Sequence, residues 1–254
     1  MSDSKKVALI TGASSGMGEA VARRFHREGY SLALGARRVD KLKSLAASLG
    51  SEEKIFVHSL DLSSQNSIGE FARNAMERFG HVDALVNCAG FAIGREPADL
   101  GNVNEWRAMV ETDYLGPMAL IRALAPGMKE RGSGRIINIG ALAALHPHPG
   151  SAAYASAKEG MRMFLKCLRE DLLGSRIGIT NIDPGITRTD FAKVRFRGDS
   201  QAVEKMLEGF TPLEAADMAE VVWFAASRPA HVNIDQLTVT PMDQSSPTRL
   251  HKRP

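Results

Sequence analysis

Short, mostly apolar runs recur along the chain, separated by longer segments of helical period, and this alternation constrains the fold more than any other feature. The runs fall at 7–10, 31–34, 54–58, 84–86, 135–139, 177–180 and 236–239. Helical patterns occupy about 19–28 (ended by Gly29), begin again near 40 and near 65, and then cover roughly 103–130, 152–173 and 214–228. Unbroken apolar strands, rather than alternating ones, are expected where helices cover both faces of a sheet. Regular strand-then-helix succession implies parallel strands joined by right-handed crossovers. The expected fold class is therefore α/β, a doubly wound parallel sheet of about seven strands in one domain.

Composition supports a folded chain. Of 254 residues, 44% are hydrophobic and the net charge is only +3, so disorder is excluded as the general state. A core of this size needs no staples. The two cysteines, Cys88 and Cys167, cannot hold a metal by themselves and are read as small buried side chains, so no metal site is expected. No run approaches the ~20 apolar residues of a membrane helix. The opening Met1-Ser-Asp-Ser-Lys-Lys lacks the apolar stretch of a signal peptide, which makes the cytoplasm the expected location. A basic tail at about 243–254 reads as a solvated end, and basic residues without a binding module give no nucleic-acid site.

The first strand runs through Thr11-Gly-Ala-Ser-Ser-Gly-Met-Gly18 directly into a helix. This is the strand–loop–helix context of a dinucleotide fingerprint. Gly12 permits the tight turn, Gly16 lets backbone approach a pyrophosphate, and Gly18 allows close helix–strand packing. Amides at the helix start, around Ser14, Ser15 and Met17, then face the phosphates with the positive end of the helix dipole. At the end of the second strand the chain reads Leu34-Gly-Ala-Arg-Arg38, with no carboxylate before Asp40. An acidic residue there would favour NAD. Arg37, with Arg38 beside it, instead suits a 2′-phosphate, so NADP(H) is expected over NAD(H); the two arginines also fit the start of a solvated helix.

The glycine spacing Thr-Gly-x-x-x-Gly-x-Gly resembles the short-chain dehydrogenase/reductase family, in its compact single-domain branch. Asn87-Cys-Ala-Gly90 resembles that family's Asn-Asn-Ala-Gly with one change, Tyr154-Ala-Ser-Ala-Lys158 its Tyr-x-x-x-Lys, and Asp183-Pro-Gly-Ile-Thr-Arg-Thr189 its Pro-Gly segment. The resemblance spans about residues 5–242 and implies a Rossmann-type oxidoreductase that interconverts a carbonyl and an alcohol. It adds Asn87, Ala89, Gly90, Pro184, Gly185, Ile186 and Thr189 to the cofactor site, with Asp61 and neighbouring Leu62 at the adenine. Asp61 equally suits a helix N-cap.

By resemblance, Tyr154 exchanges the proton as hydride moves, and Lys158 activates it and holds the nicotinamide ribose. The two are four residues apart on an expected helix, hence on one face. A phenol of ordinary pKa near ~10 is a poor base at neutral pH unless positive charge favours its phenolate. Two positions depart from the pattern. Where the family has its catalytic Ser stands Ala141, and Asp113, within Glu111-Thr-Asp-Tyr-Leu-Gly116, replaces its Asn. Losing a preorganised donor such as the serine commonly costs ~10²–10³ in turnover. Asp113 keeps the backbone carbonyl from which the family's water relay starts, but sets a carboxylate near Lys158. A catalytically weakened NADP(H)-binding sensor or scaffold is therefore the alternative function.

Between strand and tyrosine helix, Leu145-His-Pro-His-Pro-Gly-Ser151 offers His148 and Ser151 as substrate donors, with His148 the candidate substitute for the serine. Phe91 is expected to add apolar wall. The irregular stretch 190–212 resembles the family's mobile lid, with Lys193, Arg195 and Arg197 available to an anionic substrate. The long helices at 103–130 and 152–173 resemble those by which the family forms tetramers and dimers, so a closed homo-oligomer is expected.

Overall fold

The computed structural model describes residues 6–50 and 52–253. The start of the chain, on which the expectation of no leader rests, lies outside the described residues. Seven parallel strands form the central sheet: β1 (Val7–Thr11), β2 (Ser31–Ala36), β3 (Ile55–Ser59), β4 (Ala84–Asn87), β5 (Gly134–Ile139), β6 (Ile177–Pro184) and, last in the chain, Gln236–Val239. The spatial order places β3, β2, β1, β4, β5, β6 and then that last strand side by side. The order reverses between β1 and β4, and in open α/β sheets ligands bind outside the carboxyl ends of the strands at this crevice.

Side chains of each strand alternate between two cores. From β1, Ala8 and Ile10 join one apolar cluster while Val7 and Leu9 join the other. Helices α1 (Gly16–Arg27) and α2 (Val39–Leu49) supply Val21, Phe25 and Leu42 to the first. Helix α3 (Gln65–Phe79) supplies Phe71 to the second. The single-domain doubly wound expectation thus holds, and both sheet faces are covered.

The long pattern at 103–130 is not one regular helix. It begins as α4 (Val103–Val110), passes through one π turn over Glu111–Leu115, and continues as α5 (Gly116–Arg131). The wide turn carries Asp113 into the interior, and a Cβ on Gly116 would lie 2.4 Å from the Leu62 carbonyl oxygen. A short helix α6 (Leu142–Leu145) precedes α7 (Ala152–Asp171), the helix of Tyr154 and Lys158. Stretch 190–212 is more regular than expected, holding α8 (Phe191–Arg195) and α9 (Ser200–Leu207). It is flanked by a two-residue pairing of Thr187–Arg188, here β7, with Leu213–Glu214, here β8. Helix α10 (Ala215–Ala226) then packs on α1, and the strand Gln236–Val239 is β9.

Two expectations are corrected. The tail does not fray, although its basic side chains Arg249, His251, Lys252 and Arg253 are exposed as expected: Gln244 is buried, its Oε1 accepts from the Ile186 amide at 2.8 Å, and Arg253 N donates to Gly209 O at 2.6 Å. A buried amide side chain with both ends satisfied anchors the segment to the loop after β6. Cys167 is exposed, because it falls outside the Ala157, Met161, Leu165 stripe that α7 turns inward.

Helical glycines give a paired test of these contacts. A Cβ on Gly18 would sit 2.4 Å from the Gly12 carbonyl oxygen, whereas one on exposed Gly69 of α3 meets nothing within 4 Å. Gly18→Ala should lose about 1–3 kcal/mol of stability through overpacking. Gly69→Ala should gain about 0.5–1 kcal/mol from helix propensity alone. Urea unfolding of the two variants checks both signs.

Candidate active site

The cofactor cleft is assembled from the carboxyl ends of β1 to β4. Gly12 (φ +69°) and Gly16 (φ +57°) have left-handed backbone. A Cβ on Gly12 would meet Ala89 backbone at 2.8 Å, so the turn admits no side chain. The Thr11 hydroxyl accepts from the amides of Cys88 and Ala89 at 3.1 and 3.0 Å, which fixes the loop after β4 against the glycine turn. The cleft holds about 410 Å³ and is lined by Gly12, Ser14, Ser15, Gly16, Met17, Gly18, Arg37, Arg38, Asp61, Leu62, Ala89, Gly90, Phe91 and Thr189. Beneath it both amide atoms of buried Asn87 lack a hydrogen-bond partner. A dinucleotide fits this cradle: glycines clear the pyrophosphate path and an unpaired buried amide awaits a polar ligand.

At the adenosine end, Arg38 rather than Arg37 joins the glycine loop, donating to Ser14 Oγ at 3.0 Å and to Ser15 Oγ at 2.6 Å. Asp61 accepts from the amide and hydroxyl of Ser63 at 2.9 and 2.7 Å, and these bonds hold its carboxyl below the usual range. The cap of α3 is Ser64, so Asp61 is not the N-cap.

A second cavity of about 810 Å³ continues from the first, sharing Met17, Cys88, Gly90, Thr189 and Phe191. Tyr154, Lys158, Ala141, His148, Pro184, Gly185 and Ile186 line it. Lys158 is 5% exposed, and its Nζ donates to the Ile139 carbonyl at the end of β5 at 3.0 Å. The Tyr154 ring packs on Phe191 with centroids 5.5 Å apart. Burial raises the Tyr154 phenol well above its ordinary value; Asp113 adds to the rise and Arg195 opposes it. Burial likewise pushes the Cys88 thiol up to about 12.

Asp113 Oδ1 accepts from the Phe91 amide at 2.9 Å and lies 4.0 Å from Lys158 Nζ, while Oδ2 is buried without a partner. Burial outweighs the nearby ammonium and raises this carboxyl to about 6. Gly90 leaves room for the pair, since a Cβ there would lie 2.6 Å from Asp113 Oδ1 and 2.9 Å from Lys158 Nζ. The Ala141 backbone is held from below. Its amide donates to Asp183 Oδ1 at 3.0 Å, within a buried chain that also contains Asn138, Asn181 and Gln236.

Other expected residues behave differently. Ser151 is buried and donates to the His148 carbonyl at 2.6 Å, so its hydroxyl serves the loop rather than the cavity. His148 Nδ1 lies 3.2 Å from the His146 carbonyl; donating there leaves Nε2 of the neutral ring an acceptor. Phe91 borders the cofactor cleft and gives its amide to Asp113. Of the three cations in 190–212, Lys193 pairs with Asp190 at 2.9 Å and Arg197 with Glu96 and Glu105, which pins this stretch to the loop before α4 and to α4 itself. Only Arg195 lines the cavity, anchored by donation to the Gly150 carbonyl. Sequence reasoning missed Arg95, Lys205 and Lys252, which also line it. Among the described residues the lining contains no Asp or Glu.

A family model described as short chain dehydrogenase matches residues 6–199, and the chain belongs to that family. It is similar to an NADP-dependent 3-hydroxy acid dehydrogenase of Shigella flexneri, 38% identical over 94% of this chain and 96% of that one. A sulfoacetaldehyde reductase of Chromohalobacter salexigens is 37% identical, with 94% and 95% covered. Among solved structures, the closed form of a serine dehydrogenase complexed with NADP+ superposes with a TM-score of 0.91 at 36% identity, covering 98% and 100% of the two chains. The expected preference for NADP(H) agrees with these relatives and with the arginines after β2.

Two measurements check this site. Arg38→Ala should weaken NADPH binding about ten- to a hundredfold, the range for one charge-assisted hydrogen bond, and leave NADH binding nearly unchanged in fluorescence titration. The Asp113 carboxyl is raised relative to the unfolded chain, so the folded state holds its proton more tightly and stability falls as pH rises through the 4–6 window. Asp113→Asn should therefore raise Tm relative to the parent at pH 7.5, and the gain should vanish near pH 4.

Proposed function

We propose that this protein is an NADP(H)-dependent oxidoreductase that interconverts the carbonyl and alcohol forms of a small organic anion. The observation that carries the substrate class is the second cavity, which Arg95, Arg195, Lys205 and Lys252 line with no Asp or Glu among the described residues. Arg195 is the anchor: it is partly desolvated, fixed by the Gly150 carbonyl, and close enough to Tyr154 for their charges to interact. A carboxylate or sulfonate seated on its guanidinium would lie beside the phenol. The names of the hydroxy acid dehydrogenase and the sulfoacetaldehyde reductase support the same class.

NADP(H) supplies or accepts the hydride when bound. In reduction, Tyr154 gives its proton to the substrate oxygen, and in oxidation its phenolate takes one. Lys158 is held by Ile139 O at the join of the two cavities, where it fixes the ribose side of the cofactor. Met17, Cys88 and Phe191 form the apolar wall between cofactor and substrate. Ala141 lines the cavity without a hydroxyl, so Tyr154 acts without the serine donor, and His148, which lines the same cavity, is the substitute donor. Cytoplasmic location and a homo-oligomer, tetramer before dimer, belong to the same reading; the exposed Met163 on α7 and Leu115 at the π turn support a covered helix face.

Ala141 also supports a second reading, a nucleotide-binding sensor that turns over little. NADPH oxidation measured against short oxo acids, a sulfonated aldehyde and neutral carbonyls separates the two. Parent activity on the anionic carbonyls, raised about tenfold or more in Ala141→Ser, is the expected result. Activity only after the serine is restored would favour the sensor. Arg195→Met should raise KM for anionic carbonyls about ten- to a hundredfold and leave neutral ones nearly unchanged.

A further inference from the structure

Resting on this reading of the site, we infer that Asp113 is a positioning residue that commits Tyr154 to its phenol form and so biases the site toward carbonyl reduction. Its carboxyl enters the interior on the π turn with its side chain 0% exposed, one oxygen bonded to the Phe91 amide and the other unpaired. Lys158 Nζ stands 4.0 Å away with one donor spent on Ile139 O. In this low-dielectric setting an ionised Asp113 offsets the charge by which Lys158 favours a phenolate. It also acts on Tyr154 directly, with the sign that keeps the proton on the oxygen.

Several other groups surround Tyr154. Lys158 lies on its own helix, with Nζ 5.8 Å from the ring centroid; Arg195 on α8 favours the phenolate, Asp183 on β6 opposes it, His148 of the loop before α7 and Arg95 of the loop before α4 line the same cavity, and the Cys88 thiol is held neutral by burial. Against this set Asp113 stands second only to burial in raising the phenol. An amide at the same position keeps an oxygen for the Phe91 amide but carries no charge, so the effect belongs to ionisation rather than to shape.

In reduction the carbonyl carbon gains a hydride, its oxygen takes the Tyr154 proton, and solvent returns a proton to the phenolate. A phenol of raised pKa is fully loaded for that step at neutral pH and poorly suited to the reverse one. Above the Asp113 titration the bias is complete; below it the carboxyl is neutral and the lysine's charge acts on Tyr154 unopposed.

The test uses the full chain without cofactor, so it does not depend on turnover. Tyr154 is replaced site-specifically by 2,3,5-trifluorotyrosine, a phenol acidic enough to titrate near neutrality, and its fluorine resonances are followed with pH. Asp113→Asn should lower the midpoint by about one unit, a tenfold rise in the ionisation constant. Should that variant not fold, Asp113→Ala gives the same readout. A midpoint that stays put or rises overturns the inference while leaving the oxidoreductase reading intact. With NADP(H) present, Asp113→Asn should also raise the oxidation-to-reduction ratio of kcat values at pH 7.5, and a falling ratio would contradict it.

Discussion

A single hydrogen bond, from the buried Lys158 ammonium to the carbonyl of Ile139, ties the chemistry of this protein to its sheet. A lysine 5% exposed needs partners, and the free carbonyl at the end of β5 is the nearest fixed one. By holding that amine, the strand sets the height of α7 above the sheet edge and places Tyr154 one helical turn away toward α8. The same position puts Lys158 in the lining of the second cavity. In the proposed reading, cofactor geometry and proton chemistry both lean on this one contact between a helix and a strand end.

Around that contact the protein departs from neutral design in two directions. The second cavity gathers cations and, among the described residues, no Asp or Glu, which suits anions and makes the space unwelcoming to other cations. Beside Lys158 stands the buried carboxyl of the π turn, Asp113, 4.0 Å from its Nζ. The buried chain from Asn138 through Asn181 to Asp183 fixes the Ala141 backbone, so a missing hydroxyl there removes a donor without loosening the wall.

Much of this was legible in the residues. Strands buried on both faces read as apolar runs, and the glycine loop announced itself because only glycine tolerates the backbone at Gly12 and the approach at Gly18. Tyr154, Lys158, Ala141 and Asp113 were located by spacing and resemblance, and the structure gathers all four near one cavity. The tail was misread because its docking depends on Gln244, whose amide finds partners only in the folded loop after β6. No periodicity separates Arg195 from Arg197 either; the turn of α8 sends one to Gly150 and the cavity, the other to Glu96 and Glu105. Cys167 could have been placed by the phase of α7, whose inward stripe excludes it.

The central claim is that a phenol steadied by this amine handles the substrate's proton. Single-turnover oxidation of bound NADPH by a short oxo acid, compared between the parent and Tyr154→Phe, tests it most directly. A rate lost by about a hundredfold or more, with NADPH affinity unchanged, is the predicted result. Equal rates in the two proteins would contradict it.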